Sequence, residues 1–401
     1  MQSFLAALLL QSGYNAALVC IGAGLLGAAA GATGTFLFLR KRALVSDAIA
    51  HATLPGVALA YIAMVYLGGD GRNLAGLLGG AGLSALLGLI AVNALVARTR
   101  LAEDAAIGAV LSVFFGFGIV LLTVIQTLNR GQAAGLEGFL LGSTAGMLRA
   151  DAVVIALGGA FAVGMVIALR RPLSLIAFDS GFAAATGLNV PRLDLFLMAL
   201  VMAVVVVGLK VVGLILIVAM LIIPPVSARF WTDRTDRVLL LSGIIGGVAA
   251  YIGAALSASA PDLPTGAVIV LVSALGFVIS LLLAPGRGVL AVLIGARRFQ
   301  ARVHLRQGLL ALGHSERIFD KYTLSVLHRA GYIRRDGVAT PEGQNEGRRA
   351  LRDEARWRLV RRHYHDEAIT QRYDGLTPIE TVLTADEIAL IDAKLEGSHG
   401  R

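Results

Sequence analysis

The chain has 401 residues, of which 57% are hydrophobic and only 15% are charged, and its formal net charge is +9. Soluble domains carry about a quarter charged residues, so this composition excludes an ordinary soluble protein and indicates a membrane protein. The single cysteine, Cys20, excludes an intrachain disulfide. The basic excess lies mainly in residues 1–298, where it is more typical of cytoplasmic loops than of a nucleic-acid surface.

Charged residues are concentrated at the C-terminal end of the chain. Residues 1–298 contain 29 of them and residues 299–401 contain 32. A polar segment of about one domain's length therefore follows an apolar body. We expect a transmembrane domain at 1–298 and a separate cytoplasmic domain at 299–401, called the tail below.

The apolar body contains runs that are long enough to cross a bilayer, which takes about 20 residues. Nine runs occur, near 14–39, 47–67, 74–97, 106–127, 151–169, 193–209, 211–228, 238–256 and 265–284. Only GLKVVG (208–213) separates the sixth run from the seventh, so eight spans is the alternative. The sequence predicts an all-α polytopic bundle.

The distribution of Lys and Arg between the connecting loops predicts the orientation. With nine spans and a cytoplasmic tail, fourteen basic residues fall on the cytoplasmic side and four on the other side. Cytoplasmic loops carry such an excess. We therefore expect the N-terminus outside and the tail in the cytoplasm.

The stretch SDAIAHATLPG (46–56) places a carboxylate and an imidazole inside an apolar run. Asp47 and His51 are four residues apart, so a helix presents them on one face. Ionisable groups in a span are costly and are usually functional. An oxygen and a nitrogen ligand together suit Mn²⁺, Fe²⁺ or Zn²⁺. Two simpler interpretations remain: Asp47 caps the helix, and His51 is a hydrogen-bonded interior histidine.

The segment LRKRALVSDAIAHATLPGVALA (39–60) resembles the signature of the permease subunits of bacterial manganese, zinc and iron ABC importers, in which a basic cluster precedes [GS]DAxxHxxLPG. Further segments at 100–122, 173–194, 213–230 and 263–280 are similar to later parts of that family. The resemblance implies that Asp47 and His51 bind the transported ion. It also implies that this ion is a substrate rather than a permanent cofactor.

The resemblance also implies partners and a location. A permease of this family pairs with a second permease copy, identical or paralogous. It also works with ATP-binding cassette subunits, two in all, and with an extracytoplasmic metal-binding protein, in the bacterial inner membrane. The sequence has no GxxxxGK[ST] motif, so we expect the chain not to hydrolyse ATP and not to be an enzyme.

The segment SLIAFDSGFAAATGLNVPRLD (174–194) is typical of a short amphipathic helix that ends near Gly187. In the resembled family this segment is the coupling helix, which docks on the ATP-binding subunit. The resemblance assigns that role to Phe178, Asp179, Phe182 and Gly187. The alternative is an interfacial helix resting on lipid, but the segment contains no Lys to anchor it.

The tail is similar to a different family. Its first part predicts two helices and a hairpin around IRRDG and VATPEG, the wing of an α+β winged helix. It resembles the iron/manganese-dependent regulators related to the diphtheria toxin repressor, and His363 and Glu367 match a metal-ligand pair there. The later ligands are absent, with only Glu380 in a corresponding place. Nucleic acid is not expected as a partner, because the tail's net charge is only +2.

Two other functions are consistent with parts of this pattern. A membrane-tethered metal-responsive regulator would explain the tail, but not the nine apolar runs or the Asp/His pair. A permease for a metal chelate, such as a siderophore, would explain the spans, but its wide pore needs no ionic ligands. The sequence therefore favours a permease for a bare divalent metal ion.

Overall fold

The computed structural model describes residues 2–11, 13–69, 73–127, 149–259, 263–363 and 374–399. The chain divides into two compact units, Met1–Val289 and Leu290–Arg401. Each unit has its own apolar core.

The first unit is helical throughout its described residues. Its helices are α1 (Gln2–Leu8), α2 (Tyr14–Leu39), α3 (Ala43–Tyr66), α4 (Leu74–Arg98), α5 (Glu103–Thr127), α6 (Arg149–Ala168), α7 (Arg170–Phe178), α8 (Ser180–Ala185), α9 (Val190–Val212), α10 (Leu214–Trp231), α11 (Thr235–Ala258) and α12 (Thr265–Leu283). The prediction of an all-α polytopic bundle is confirmed for this unit.

The number of candidate spans is smaller than the nine predicted. Each of the nine apolar runs overlaps a helix, but only seven helices of the described chain are long and apolar enough to cross a membrane. An eighth span is added if α6 and α7, which are bent by 64° at their junction, count as one. The apolar part of α10, Leu216–Trp231, is too short by the same measure. The prediction of nine spans was wrong for two helices. The apolar part of α10 is too short to cross a membrane, and α6 is long enough only if α7, its bent continuation, is counted with it.

Glycines allow the helices of the first unit to pack backbone against backbone. A Cβ on Gly27 of α2 would lie 2.4 Å from the carbonyl oxygen of Gly246 in α11. A Cβ on Gly56 of α3 would lie 2.0 Å from the carbonyl oxygen of Gly80 in α4. Small residues permit such close approach between helices in lipid. The helix that carries Asp47 and His51 is therefore held tightly against α4.

The second unit packs around a buried tryptophan. It contains α13 (Val289–Gly313), α14 (Lys321–Arg329), α15 (Pro341–His363), a 3-10 turn at Ile379–Thr381 and α16 (Ala385–His399). Trp357 is fully buried against Val360, Ile379 and Ile391, and its indole N–H donates to the Thr377 carbonyl at 3.0 Å. This arrangement satisfies the one polar atom of the largest buried side chain.

The predicted wing of the tail does not form strands. Between α14 and α15 the described residues contain one isolated antiparallel bridge, Ile333 to Ala339, closed by a hydrogen bond from the Arg334 amide to the Val338 carbonyl at 2.8 Å. The expectation of an α+β winged-helix domain is therefore not supported. Eleven residues separate the two helices, and they form a tight turn at Gly337 with this single bridge.

Candidate metal site and coupling segment

Asp47 and His51 lie in the second and third turns of α3. The His51 Nε2 atom is 3.3 Å from Asp47 Oδ1, and the two side chains are 19% and 35% exposed respectively. α3 begins at Ala43 with Arg42 as its N-cap residue, and its first turn contains no acidic residue. Asp47 therefore does not cap this helix. The two side chains lie on one face of the helix and are partly exposed to solvent.

The imidazole of His51 is only partly satisfied. Its Nδ1 atom is buried and has no hydrogen-bond partner among the described protein groups. The ring of Phe115, on α5, meets the imidazole edge to face, with ring centroids 4.9 Å apart and an interplanar angle of 85°. Most buried polar side-chain atoms in proteins have a hydrogen-bond partner, so this nitrogen is an exception that calls for an explanation. The sequence analysis did not identify Phe115.

A single chain supplies few ligands at this position. In the part of the chain that the structure describes, no group of three or more His, Cys, Asp or Glu side chains is close enough to hold a metal ion. The pair thus offers one carboxylate and one imidazole. Zn²⁺ sites in proteins are usually four-coordinate, and Mn²⁺ prefers more oxygen ligands. Asp47 and His51 can form part of such a site but do not complete it.

The predicted coupling helix is two short helices, α7 and α8, rather than one. Asp179 separates them and caps α8, because its Oδ1 accepts a hydrogen bond from the Phe182 amide at 2.8 Å. α8 ends before Gly187, which adopts a φ of +87° in the left-handed region that favours glycine. Residues 170–189, which contain both helices and this turn, are called the coupling segment below.

The coupling segment has a buried face and an exposed aromatic face. Leu173, Ile176 and Ala183 are buried in the first unit. Phe178 and Phe182 are 65% and 56% exposed. The buried residues fix the segment to the bundle, and the two phenylalanines project away from it.

Of the three tail residues singled out in the sequence, only Glu380 has a described side chain. His363 is the last residue of α15, and its side chain is not described. Glu367 lies outside the described residues. Glu380 lies in the 3-10 turn, with an oxygen 3.7 Å from the Arg356 guanidinium. A metal site at His363 and Glu367 therefore stays a prediction.

The profile of the ABC 3 transport family matches residues 14–284, which is most of the first unit. The chain belongs to the ABC 3 transport family. This ABC 3 family member is therefore a permease subunit, a multi-pass protein of the bacterial plasma membrane, and such subunits are not themselves enzymes. The permease prediction is confirmed. The match ends before the tail, so it does not extend to the predicted regulator-like domain.

Known relatives of this ABC 3 permease agree with that assignment. It is 40% identical over 298 residues to the manganese transport system membrane protein MntC of Bacillus subtilis (strain 168), covering 74% of this chain and 67% of that protein. It is 38% identical over 290 residues to the zinc transport system membrane protein TroC of Treponema pallidum (strain Nichols), covering 72% and 95%. Among solved structures, PsaBC from Streptococcus pneumoniae in complex with Fab matches with a TM-score of 0.61 and 31% identity, over 71% of this chain and 97% of that one.

Proposed function

We propose that the chain forms the translocation pathway of an importer for manganese or zinc, and that Asp47 and His51 bind the ion as it passes. The observation that carries this proposal is the partly open acid–imidazole pair on one face of α3, with an imidazole nitrogen left unpaired. The relatives are named for manganese and for zinc transport. The donor set suits both ions, and it would suit Fe²⁺ as well.

A second copy of the permease would complete the site. One chain offers two side-chain ligands, and a zinc ion takes four. Two copies related by a two-fold axis would contribute two carboxylates and two imidazoles, and closed two-fold symmetry is the commonest arrangement of homo-oligomers. The proposed transporter therefore contains two permease copies around one ion pathway.

ATP hydrolysis would come from separate ATP-binding cassette subunits, one docked on the coupling segment of each permease. Phe178 and Phe182 supply an exposed aromatic surface of the kind that anchors interfaces. Asp179 and Gly187 would give the segment its shape, through the cap and the turn described above. An extracytoplasmic metal-binding protein would deliver the ion on the opposite face. The proposal includes an external N-terminus and a cytoplasmic tail.

For the tail we propose a regulatory or assembly role rather than DNA binding. Support comes from its small net charge and from its own buried core around Trp357. The resemblance to iron/manganese-dependent regulators is retained here only for the order of α14, the Ile333–Ala339 bridge and α15.

Ion uptake tests the metal site directly. The permease is reconstituted in liposomes with its ATP-binding subunit and binding protein, and uptake of radiolabelled Mn²⁺ and Zn²⁺ is measured. Asp47→Asn and His51→Ala should each reduce uptake by more than the roughly 10–100-fold that the loss of an outer-shell partner costs. Asp104→Asn makes the same chemical change at an exposed carboxylate in the first turn of α5 and should leave uptake unchanged. Near-normal uptake by the Asp47→Asn variant would place the ion elsewhere in the bundle.

A further inference from the structure

A three-residue turn connects α2 to α3 at the end of the bundle where the coupling segment lies. Arg40 is the C-cap residue of α2, and Arg42 is the N-cap residue of α3. Lys41 between them has a φ of +59°, in the left-handed region. The chain thus reverses sharply and sets two arginines directly before the helix that carries Asp47 and His51.

These arginines bind three other parts of the chain. The Arg40 guanidinium donates to the Ile176 carbonyl at 2.6 Å through Nη1 and to Asp194 Oδ2 at 2.5 Å through Nη2. Arg42 lies 3.1 Å from Glu103 Oε1, at the start of α5, and 3.7 Å from the same oxygen of Asp194. The side chains of Arg40 and Asp194 are each only 14% exposed. We call this ion pair and its bond to Ile176 the Arg40–Asp194 clamp.

The clamp connects the coupling segment to the helix that follows it. Ile176 belongs to α7, within the segment, and Asp194 lies in the second turn of α9, just after the segment ends. Arg40 is therefore bound to one residue inside the coupling segment and to one residue five positions beyond its C-terminal end. From Ala43 to His51, α3 then rises about 12 Å along its axis. Arg40 and the first turns of α3 thus connect the coupling segment to Asp47 and His51 over a short distance.

Stability alone is a weak reason to bury these charges. Replacing a buried ion pair by apolar residues is often neutral or stabilising, whereas removing one partner is costly. The clamp is also incompletely paired, because Arg40 Nε and Asp194 Oδ1 are buried without a partner among the described groups. Asp194 has a second arginine, Arg42, close to the oxygen that Arg40 binds. The carboxylate thus has two alternative partners, one at the end of α2 and one at the start of α3.

We infer that Arg40 and Asp194 are positioning residues for transport, which tie movements of the coupling segment to α3 and so to Asp47 and His51. This inference rests on the proposed function and adds the residues that connect its two sites. Neither residue needs to touch the ion or the ATP-binding subunit. Their loss should uncouple ATP hydrolysis from ion movement, while the ion and the ATP-binding subunit should still bind.

The test is the number of ions taken up per ATP hydrolysed by the full complex in liposomes. Asp194→Asn keeps the shape of the side chain and removes the charge that pairs with Arg40, and we expect at least a tenfold lower ratio with ATP hydrolysis retained. The matched control is Asp233→Asn, because Asp233 also lies between two arginines, at 3.1 Å from Arg229 and 2.5 Å from Arg287, on a different turn. It should keep the wild-type ratio.

A second variant covers the case in which Asp194→Asn does not assemble. Arg40→Lys keeps a cation beside Asp194 but cannot reproduce the planar fork that reaches both Asp194 and Ile176. We expect it to assemble and to show a reduced ratio. Hydrogen exchange provides a readout independent of transport: adding the ATP-binding subunit should change protection at residues 43–51 in the wild type and not in the variants.

The outcomes distinguish the inference from the proposed function. Wild-type uptake together with a wild-type ratio in Asp194→Asn, or in Arg40→Lys if only that variant assembles, overturns the inference and leaves the proposed function intact. ATP hydrolysis by the wild-type complex with no uptake of Mn²⁺ or Zn²⁺ overturns the proposed function, and the inference with it.

Discussion

Substituting Gly56 by alanine should impair transport although it adds a single methyl group. Gly56 lies in α3 five residues after His51, where a Cβ would be 2.0 Å from the Gly80 carbonyl oxygen and 2.5 Å from the Ser84 Cβ. Ordinary contact begins at 3.4 Å. The two helices must therefore separate locally by about 1.4 Å, because a backbone oxygen in α4 cannot rotate out of the way as a flexible side chain could.

The expected effect follows from that displacement. Overpacking of this kind costs about 1–3 kcal/mol of stability, and the preference of helices for alanine over glycine offsets about 1 kcal/mol of it. The fold should therefore survive. In enzymes a misplacement of about 1 Å at the reacting groups can cost about 100-fold, and we expect uptake of Mn²⁺ or Zn²⁺ to fall at least tenfold.

The measurement is ion uptake at matched protein level, together with thermal unfolding in detergent. Gly79→Ala, one residue from Gly80 on the same helix, is the matched control, because a Cβ at Gly79 meets nothing within 4 Å. It should keep wild-type uptake and be equally or slightly more stable. If Gly56→Ala transports as well as Gly79→Ala, close packing of α3 on α4 does not hold the ion pathway.

Three further variants test the coupling segment and the second unit. Phe182→Asp puts a charge on the exposed aromatic surface and should abolish coupled uptake, measured beside ATPase association in a pull-down; unchanged coupling would show that the subunit docks elsewhere. Trp357→Ala should lower the free energy of unfolding of the second unit by about 3–5 kcal/mol, seen by calorimetry as an earlier transition, and an unmoved transition would contradict the buried core. The hydrogen bond from Arg356 lowers the pKa of Asp392 in the folded protein. The stability that this bond adds to the second unit is therefore complete above the pKa of an unfolded Asp, about 3.9, and is lost as the pH falls through the lower pKa of the folded protein. Asp392→Asn should therefore weaken the acid sensitivity of that transition as the pH falls from about 5 to about 2, and identical pH profiles would exclude the pair as its source.

The sequence predicted helices well and their role as spans less well. Periodic apolar runs gave the existence of all nine large helices of the first unit, because lipid requires backbone groups to be satisfied within each segment. The sequence did not show that α6 bends by 64° into α7, because the only residue between the two helices is Leu169, which is not a typical helix-breaking residue. The wing of the tail was overestimated because turn residues such as Asp336 and Gly337 mark a reversal without showing how far pairing extends.

Site residues that are close together in sequence could be predicted from it, and partners that are distant in sequence could not. Asp47 and His51 are an i, i+4 pair, which any helical pattern brings together. Phe115 is one of 15 phenylalanines, and its contact with His51 depends on how α5 packs against α3. Asp194 is 154 positions from Arg40, and no local pattern links an acid at the start of one helix to a cation at the end of another. Such partners need the packed structure.

Pro55 gives α3 a property that the other site features do not reveal. A helical proline has no N–H, so the carbonyl of His51, four residues earlier, loses its usual partner. The Thr53 hydroxyl also bonds the Ala50 carbonyl at 2.6 Å, a contact that favours bending. The turn of α3 before Pro55 therefore has one backbone hydrogen bond fewer than the turns on either side of it. If Asp47 and His51 hold the ion as proposed, a backbone oxygen that the helix does not use belongs to one of its two ligand residues.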